Sequence, residues 1–354
     1  MYRPDADEVR KRLTTWWNGG DIGRPAMQIT APRTPPWETI AAMPRPEGWV
    51  TDYSTSNFDY RLNVGLRQCL STRFLGEAMP CIAPDLAPNC LALFLGCQGR
   101  EMPDTVWCEP FITNPEATDF TFRRDNFYWD FSYRLGQAFR NHGRHKYLIQ
   151  FPDLIEGLDT LAAMRGTEEL LIDLIERPEW VHRCLARITD LYFQAYDPLY
   201  EQYRDETGGS TYWCWAPGRM AKLQCDFSAM ISPAMFGEFM VPVLRAMLNR
   251  LDYAMYHWDG PGAIPHHDHL LSLPDLDMLQ WTPGAGAAPT WDSQWWPLYH
   301  KTFAAGKKVM IGCDSLETLA LLKREFGPDF KQFLIGMAVK TAAEGETCLA
   351  FAES

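Results

Sequence analysis

Between Tyr253 and Gly286 the chain reads YAMYHWDGPGAIPHHDHLLSLPDLDMLQWTPGAG, and in it His257 and Asp259 stand two residues apart. Residues so spaced on a strand point to one face. An imidazole and a carboxylate on one face can ligate a divalent metal ion or act as an acid/base couple. The structural alternative is an aspartate that caps the following turn beside a hydrogen-bonded core histidine. The stretch predicts a strand at Tyr253 to His257 and turn chemistry at Asp259-Gly260-Pro261-Gly262. A short helix follows from about Pro265 to Leu271, then a second strand, Asp277 to Trp281, stopped by Pro283-Gly284. Ligands of parallel α/β folds sit at the carboxyl ends of strands, which is where His257, Asp259 and Gln280 fall.

Other residues can join them. Gln224 and Asp226 end another predicted strand; Asp226 reads either as a substrate-positioning carboxylate or as an N-terminal partner for the helix beginning at Ser232. Trp213, Trp215, Trp258 and Trp281 lie on or beside three predicted strands, and inward ones would form an aromatic wall for a methylated ammonium or a ring. Cys313, after the strand Lys308 to Ile311, offers a thiolate or is a small buried residue. Glu109 and Asp153 are further mouth candidates. His266, His267 and His269 cluster nearby and read as a solvated helix start, with a shared ligand as the alternative.

The elements that position these residues form a strand-helix alternation. Predicted strands are Ala26 to Thr30, Lys146 to Phe151, Thr211 to Ala216, Ala221 to Cys225, Tyr253 to His257, Met278 to Trp281, Lys308 to Ile311 and Phe333 to Val339. Predicted helices are Ala6 to Trp17, Leu62 to Phe74, Asp125 to His142, one from Thr167, one from Pro178 to about Glu206, Ser232 to Leu251 with a kink at Pro242, Trp291 to Ala305 and Leu316 to Phe326. Ala31 to Pro46 is a proline-rich loop, Pro80 to Gly99 is irregular, and Thr105 to Ile112 is extended. The expected architecture is one α/β domain, residues 1–354, a closed (β/α)8 TIM barrel whose N-terminal extension, 1–105, covers it.

With 354 residues, 46% of them hydrophobic and 22% charged, the chain can bury a large core. Its net charge of −12 opposes nucleic acid and anionic membranes as partners. No long apolar run or leader pattern occurs, and the ten cysteines form no CxxC pair, so a reduced, cytoplasmic chain is expected. No GxGxxG or GxxxxGK[ST] links a strand to a helix, which argues against a nucleotide cofactor. A small-molecule substrate is the expected partner, and a homodimer is left open.

QCDFSAMISPAMFGEFMVPVLRAM, Gln224 to Met247, resembles the uroporphyrinogen decarboxylase superfamily, as does GTEELLIDLIERPEWVHRCL, Gly166 to Leu185. The resemblance runs from roughly Arg24 to the C-terminus and implies the TIM barrel. It also implies one of two chemistries: cofactor-free decarboxylation of a tetrapyrrole, or zinc-dependent methyl transfer between a corrinoid protein and a thiol. The arginine-rich segment of the decarboxylases is replaced by Arg24-Pro25-Ala26-Met27-Gln28-Ile29. The methyltransferases' His-x-Cys pair is replaced by His257-Trp258-Asp259, and their late cysteine by Val339 in FLIGMAV. The expectation is a methyltransferase-like enzyme with zinc or another divalent metal on His257, Asp259 and Cys313, catalytic His257, Asp259 and Asp226, and corrinoid reached only through a separate partner protein. Substrate contacts would come from Gln224, Gln280, Trp213, Trp215, Trp281, Glu109 and Asp153. A metal-free decarboxylase or lyase acting on a carboxylated cyclic ligand, and a non-catalytic binder, are the alternatives.

Overall fold

A computed structural model describes all residues, 1–354. Thirteen strands occur in chain order: β1 Ala26–Pro32, β2 Thr72–Gly76, β3 Cys81–Ile82, β4 Gln98–Glu101, β5 Val106–Glu109, β6 Leu148–Ile149, β7 Ser210–Tyr212, β8 Cys214–Ala216, β9 Met220–Gln224, β10 Tyr253–Asp259, β11 Met278–Thr282, β12 Lys308–Gly312 and β13 Phe333–Ala338. Seven build the central sheet in the order β2-β1-β13-β12-β11-β10-β9. All its pairings are parallel except β2 on β1. Helices separate successive strands from β9 onward, as alternation requires.

The expected closed ring is not present as a continuous hydrogen-bonded ladder. β3 and β6 pair in parallel over two residues, and one isolated bridge, Gln150 to Thr211, continues from them. Pro80, Pro84 and Pro152 flank these short strands, and proline has no N–H to extend a ladder. The expected strand Thr211 to Ala216 is instead a tight antiparallel pair, β7 and β8, because Trp213 turns the chain back at φ 62°. Next to β9 a side chain bridges where a ladder would run: Ser210 Oγ accepts from Met220 N at 3.0 Å and donates to Gly218 O at 2.6 Å.

The alternation of β9, β10 and β11 divides their residues cleanly. In register, Gln224 pairs with His257 and His257 with Gln280, while Asp259 pairs with Thr282, so these polar residues share one face. The other face carries Leu223, Tyr256, Trp258, Leu279 and Trp281, all buried. Trp258 and Trp281 lie edge to face at 4.8 Å, and Trp295 continues the cluster at 5.0 Å from Trp281.

The first helix is Ala6–Trp17, with Val9, Leu13, Trp16 and Trp17 buried. It does not cover the strand ends that carry the site. Trp17 packs on Tyr253, and Lys308 Nζ donates to Trp17 O, so the helix closes the amino ends of β10 and β12, the opposite pole. The segment at the end of the expected cover and just past it, Thr105 to Cys108, does reach the site's side, lining a cavity with Asp226.

Several local expectations change for physical reasons. The helix placed at Leu62 to Phe74 is Phe58–Leu70, and its last residues become β2, which uses the free edge of β1. A helix at Gly157–Arg165 and one at Ala342–Glu353 were not expected. Ser232 caps its helix, accepting from Met235 N at 3.2 Å with Pro233 at the first position. Five residues, Phe236–Met240, then widen into a π turn just before Pro242, which cannot donate to the preceding turn.

His266 and His267 are buried, at 1% and 3% exposure, and not solvated. The Thr302 hydroxyl donates to Leu298 O, so its oxygen accepts from the neutral His267 Nε2–H at 2.9 Å. Burial first, and then the Lys301 charge, push the His267 pKa down to about 4, against a smaller upward pull from Asp268. A depressed folded pKa means that stability is complete above the unfolded value near 6.5 and is lost as pH falls toward 4. Urea unfolding is expected to show this loss, up to about 3 kcal/mol, between those limits. In His267→Gln the same pH interval is expected to cost markedly less.

Candidate functional site

Asp226, His257 and Asp259 meet at the carboxyl ends of β9 and β10. One donor atom from each lies within 4.8 Å of the others. His257 Nε2 is 4.0 Å from Asp259 Oδ2, and Asp226 Oδ2 accepts from Gln224 Nε2 at 3.1 Å. Asp259 reaches the group because β10 runs to Asp259, two residues beyond the expected end, which puts His257 and Asp259 on one face.

The neighbours fix how these donors point. Gln280 Nε2 donates to Thr282 Oγ1 at 2.9 Å and to the Trp281 carbonyl at 3.2 Å. A carbonyl can only accept, so this end of the amide is the NH2 and its oxygen faces His257 Nδ1. Nδ1 must therefore carry a proton, so in the neutral ring it is the Nε2 lone pair that faces the carboxylates, the tautomer that binds a metal ion through Nε2. Asp259 Oδ1 is buried with no hydrogen-bond partner. An orphaned buried carboxylate oxygen costs free energy unless a cation or donor meets it.

Around the group runs a polar layer with an excess of acid. Lys222, wholly buried, pairs with Asp153 Oδ1 at 2.5 Å and donates to Gln224 Oε1. Lys222 thus fixes the Gln224 amide as Gln280 is fixed, with its NH2 toward Asp226. Asp159 accepts from the backbone N–H groups of Asp226 and Phe227, both at 2.8 Å, and holds the turn that presents Asp226. Glu156 accepts from Gln224 N at 2.9 Å. Burial drives the Glu156 pKa up to about 8, against the pull of the Gln224 N–H and Lys222. Burial also raises the Asp226 pKa, and Asp259 adds to it; only a protonated His257 would oppose the rise. An acidic concavity of this kind attracts cations.

The remaining expected residues divide. Trp213 belongs to the site: its ring meets His257 edge-on at 5.2 Å and the Lys222 ammonium at 5.1 Å. Its left-handed backbone is held by Gln150 Oε1, which accepts from Trp213 N, and by Gln28, which donates to Trp213 O, each at 3.2 Å. Asp153 belongs too, through Lys222. Trp215 and Trp281 do not face the site; Trp215 is buried with Nε1 on Asp205 Oδ2, and Trp281 is in the tryptophan cluster behind the sheet. Glu109 is exposed on the β4-β5 hairpin. Cys313 is not one of the three grouped donors; its sulfur lies 2.8 Å from Thr318 Oγ1 at the start of the helix Leu316–Phe326, and burial raises its pKa. Val339, which the resemblance would put in place of a late cysteine ligand, is buried.

Sequence reading missed Lys222, Thr282, Glu156 and Asp159. A signal existed for Lys222, a lone cation in the strand MAKLQ two residues before Gln224. None existed for Asp159, whose partners are 67 and 68 residues distant.

Open space adjoins the group. A cavity of about 540 Å³ is lined by Gln224, Asp226, Trp107, Cys108, Phe227 and Met230 among others. A second cavity, of about 450 Å³, is lined by Thr30, Tyr53, Arg61 and Asp85, with none of the three donors in its wall. Gly312 and Gly336 pair on β12 and β13, and a Cβ on either would meet nothing closer than 3.7 Å. Ligand-sized room at strand ends with a few fixed polar groups is the usual form of a binding site.

No family model matches the chain, and no curated protein matches it. No helix is long and apolar enough to cross a membrane.

Proposed function

We propose that this chain is a metal-dependent enzyme of the uroporphyrinogen decarboxylase-like (β/α)8 type, with Asp226, His257 and Asp259 holding one divalent cation. The observation that carries this reading is the convergence of three donors: a histidine held through Nδ1 so that Nε2 faces Asp226 and Asp259, and on Asp259 a carboxylate oxygen with no partner. One imidazole and two carboxylates form a harder donor set than the thiolates of zinc methyltransferases, and suit zinc, manganese or iron with oxygen or nitrogen substrate atoms. The barrel reading rests on the parallel order from β9 to β1 and on the parallel pieces β3, β6 and β7 that follow one another beyond it.

The reaction we propose is transfer of a methyl group involving a small methylated substrate, with a thiol or a corrinoid on a separate protein as the other party. A bound cation would act there as a Lewis acid, polarising the substrate heteroatom. The chain's own residues would do the rest. Gln280 and Gln224 hold the ligating side chains in place, Lys222 and Asp153 form the floor of the polar layer, and the Trp213 ring screens His257 from water.

Elemental analysis of the purified protein tests this reading, with about one divalent ion expected per chain after loading and desalting. A chain that takes up no ion and releases carbon dioxide from a carboxylated ligand would replace it by a lyase, with His257 or Asp259 as proton donor. Tight ligand binding without turnover would replace it by a binding protein. Gln280→Leu removes the acceptor that orients His257, and calorimetric titration is expected to show affinity for the ion lowered about 10- to 100-fold.

A further inference from the structure

The β4-β5 hairpin carries one thiol, Cys108, and the residue just before β4 carries another, Cys97. Gly99 stands opposite Cys108 in its register. Cys97, two residues before Gly99, therefore lies on the same face and diagonally across from Cys108, within side-chain reach. Cys97 Sγ is 3.4 Å from Ala163 O, and Ala163 and Cys108 line the same cavity. Cys97 is wholly buried, whereas Cys108 is partly open to that cavity.

The chemistry of the pair is asymmetric. Its contact with the Cys97 thiol lowers the Cys108 pKa below that of an ordinary thiol, and the same contact, with burial, raises that of Cys97. Burial raises Cys81 to about 11, and Cys69, Cys90, Cys184, Cys214, Cys225, Cys313 and Cys348 are likewise raised. A disulfide can reach only the accessible thiol of the pair, and that is Cys108, which lines the cavity, whereas Cys97 is wholly buried.

We propose that Cys108 and Cys97 form a thiol–disulfide exchange site that reacts with small-molecule disulfides such as oxidised glutathione. The Cys108 thiolate attacks one sulfur of the disulfide; a bond forms between them and one glutathione thiolate leaves. Cys97 then gives up its proton and attacks the Cys108 sulfur, expelling the second glutathione thiolate. Two protein thiols are oxidised, one disulfide is reduced to two thiols, and both protons end on the departing glutathiones. The cross-link would pin the hairpin at the wall of the cavity that Asp226 also lines, directly beside Trp107. This site does not depend on the metal reading.

The test exposes the folded full-length chain to excess oxidised glutathione, blocks free thiols and maps the cysteines by peptide mass spectrometry. A Cys97–Cys108 link is expected, formed at least about tenfold faster than any modification of the other cysteines. Cys97→Ser is expected to stop at one glutathione on Cys108, and Cys108→Ser to take up none at Cys97. Metal uptake should be the same in both variants as in the parent chain. Cys97 and Cys108 remaining free in the folded chain, or oxidation spread evenly over other cysteines, would overturn the assignment.

Discussion

His257→Ala is expected to weaken binding of a divalent cation at least about 100-fold while the fold survives. The variant removes the one nitrogen donor of three and leaves two carboxylates with nothing to complete the set. His257 sits at a strand end, with its imidazole turned toward Asp226 and Asp259 and away from the core behind the sheet. Its stability contribution is a bond to Gln280 and an edge contact with Trp213, and the expected loss is about 1 kcal/mol. Titration calorimetry with zinc and manganese, beside thermal unfolding, separates the two effects. Unchanged affinity would sink the metal assignment; a large drop in melting temperature with unchanged affinity would make His257 a packing residue.

Glu77→Leu is expected to destabilise the chain by about 3–5 kcal/mol. Glu77 is wholly buried at the opposite pole from the site. Its carboxylate takes Arg24 Nη1 at 2.6 Å, Arg24 Nη2 at 2.9 Å, Met27 N at 2.9 Å and Arg12 Nε at 2.8 Å. Removing it leaves a guanidinium only 6% exposed with just Pro25 O and, at its outer edge, the largely exposed Glu353 as partners. The arginine cost, not the loss of attraction, dominates, so Arg24→Met combined with Glu77→Leu should recover a good part of the loss. Burial by itself would raise the Glu77 pKa; Arg24, Met27 N–H and Arg12 more than reverse this and hold it low. With a depressed folded pKa, the stabilisation is present above about 4.5 and is lost as pH falls through the folded value. Acid unfolding of the parent but not of Glu77→Leu should include that component. A change under about 1 kcal/mol in Glu77→Leu would show that Arg24 finds another partner.

The legible part of the fold was local. The first helix falls at Ala6–Trp17 as the apolar spacing indicates, and Ser232, Pro233 and Gly327 bound their helices as capping chemistry requires. Strand phase was also legible: two-residue alternation alone sets His257 and Asp259 on one side and Trp258 on the other. What failed depended on distant partners. Trp281 follows Gln280 on β11, so the two cannot both face the site; the register His257 to Gln280 puts Gln280 there and Trp281 against Trp258. His266 and His267 look solvated in sequence, but Ser228 O and Thr302, 38 and 35 residues away, bury and satisfy them. Cys313 follows a strand as a ligand would, yet a local bond to Thr318 occupies its sulfur.

The sequence by itself therefore determined which residues share a face and where elements begin and stop, because period, capping and proline geometry act over a few residues. Tertiary structure decided that β9 lies beside β10, that Asp226 joins His257 and Asp259, and that the first helix closes the far pole. Strand order and register are set by burial and pairing between segments tens to hundreds of residues apart, and no local pattern encodes those distances.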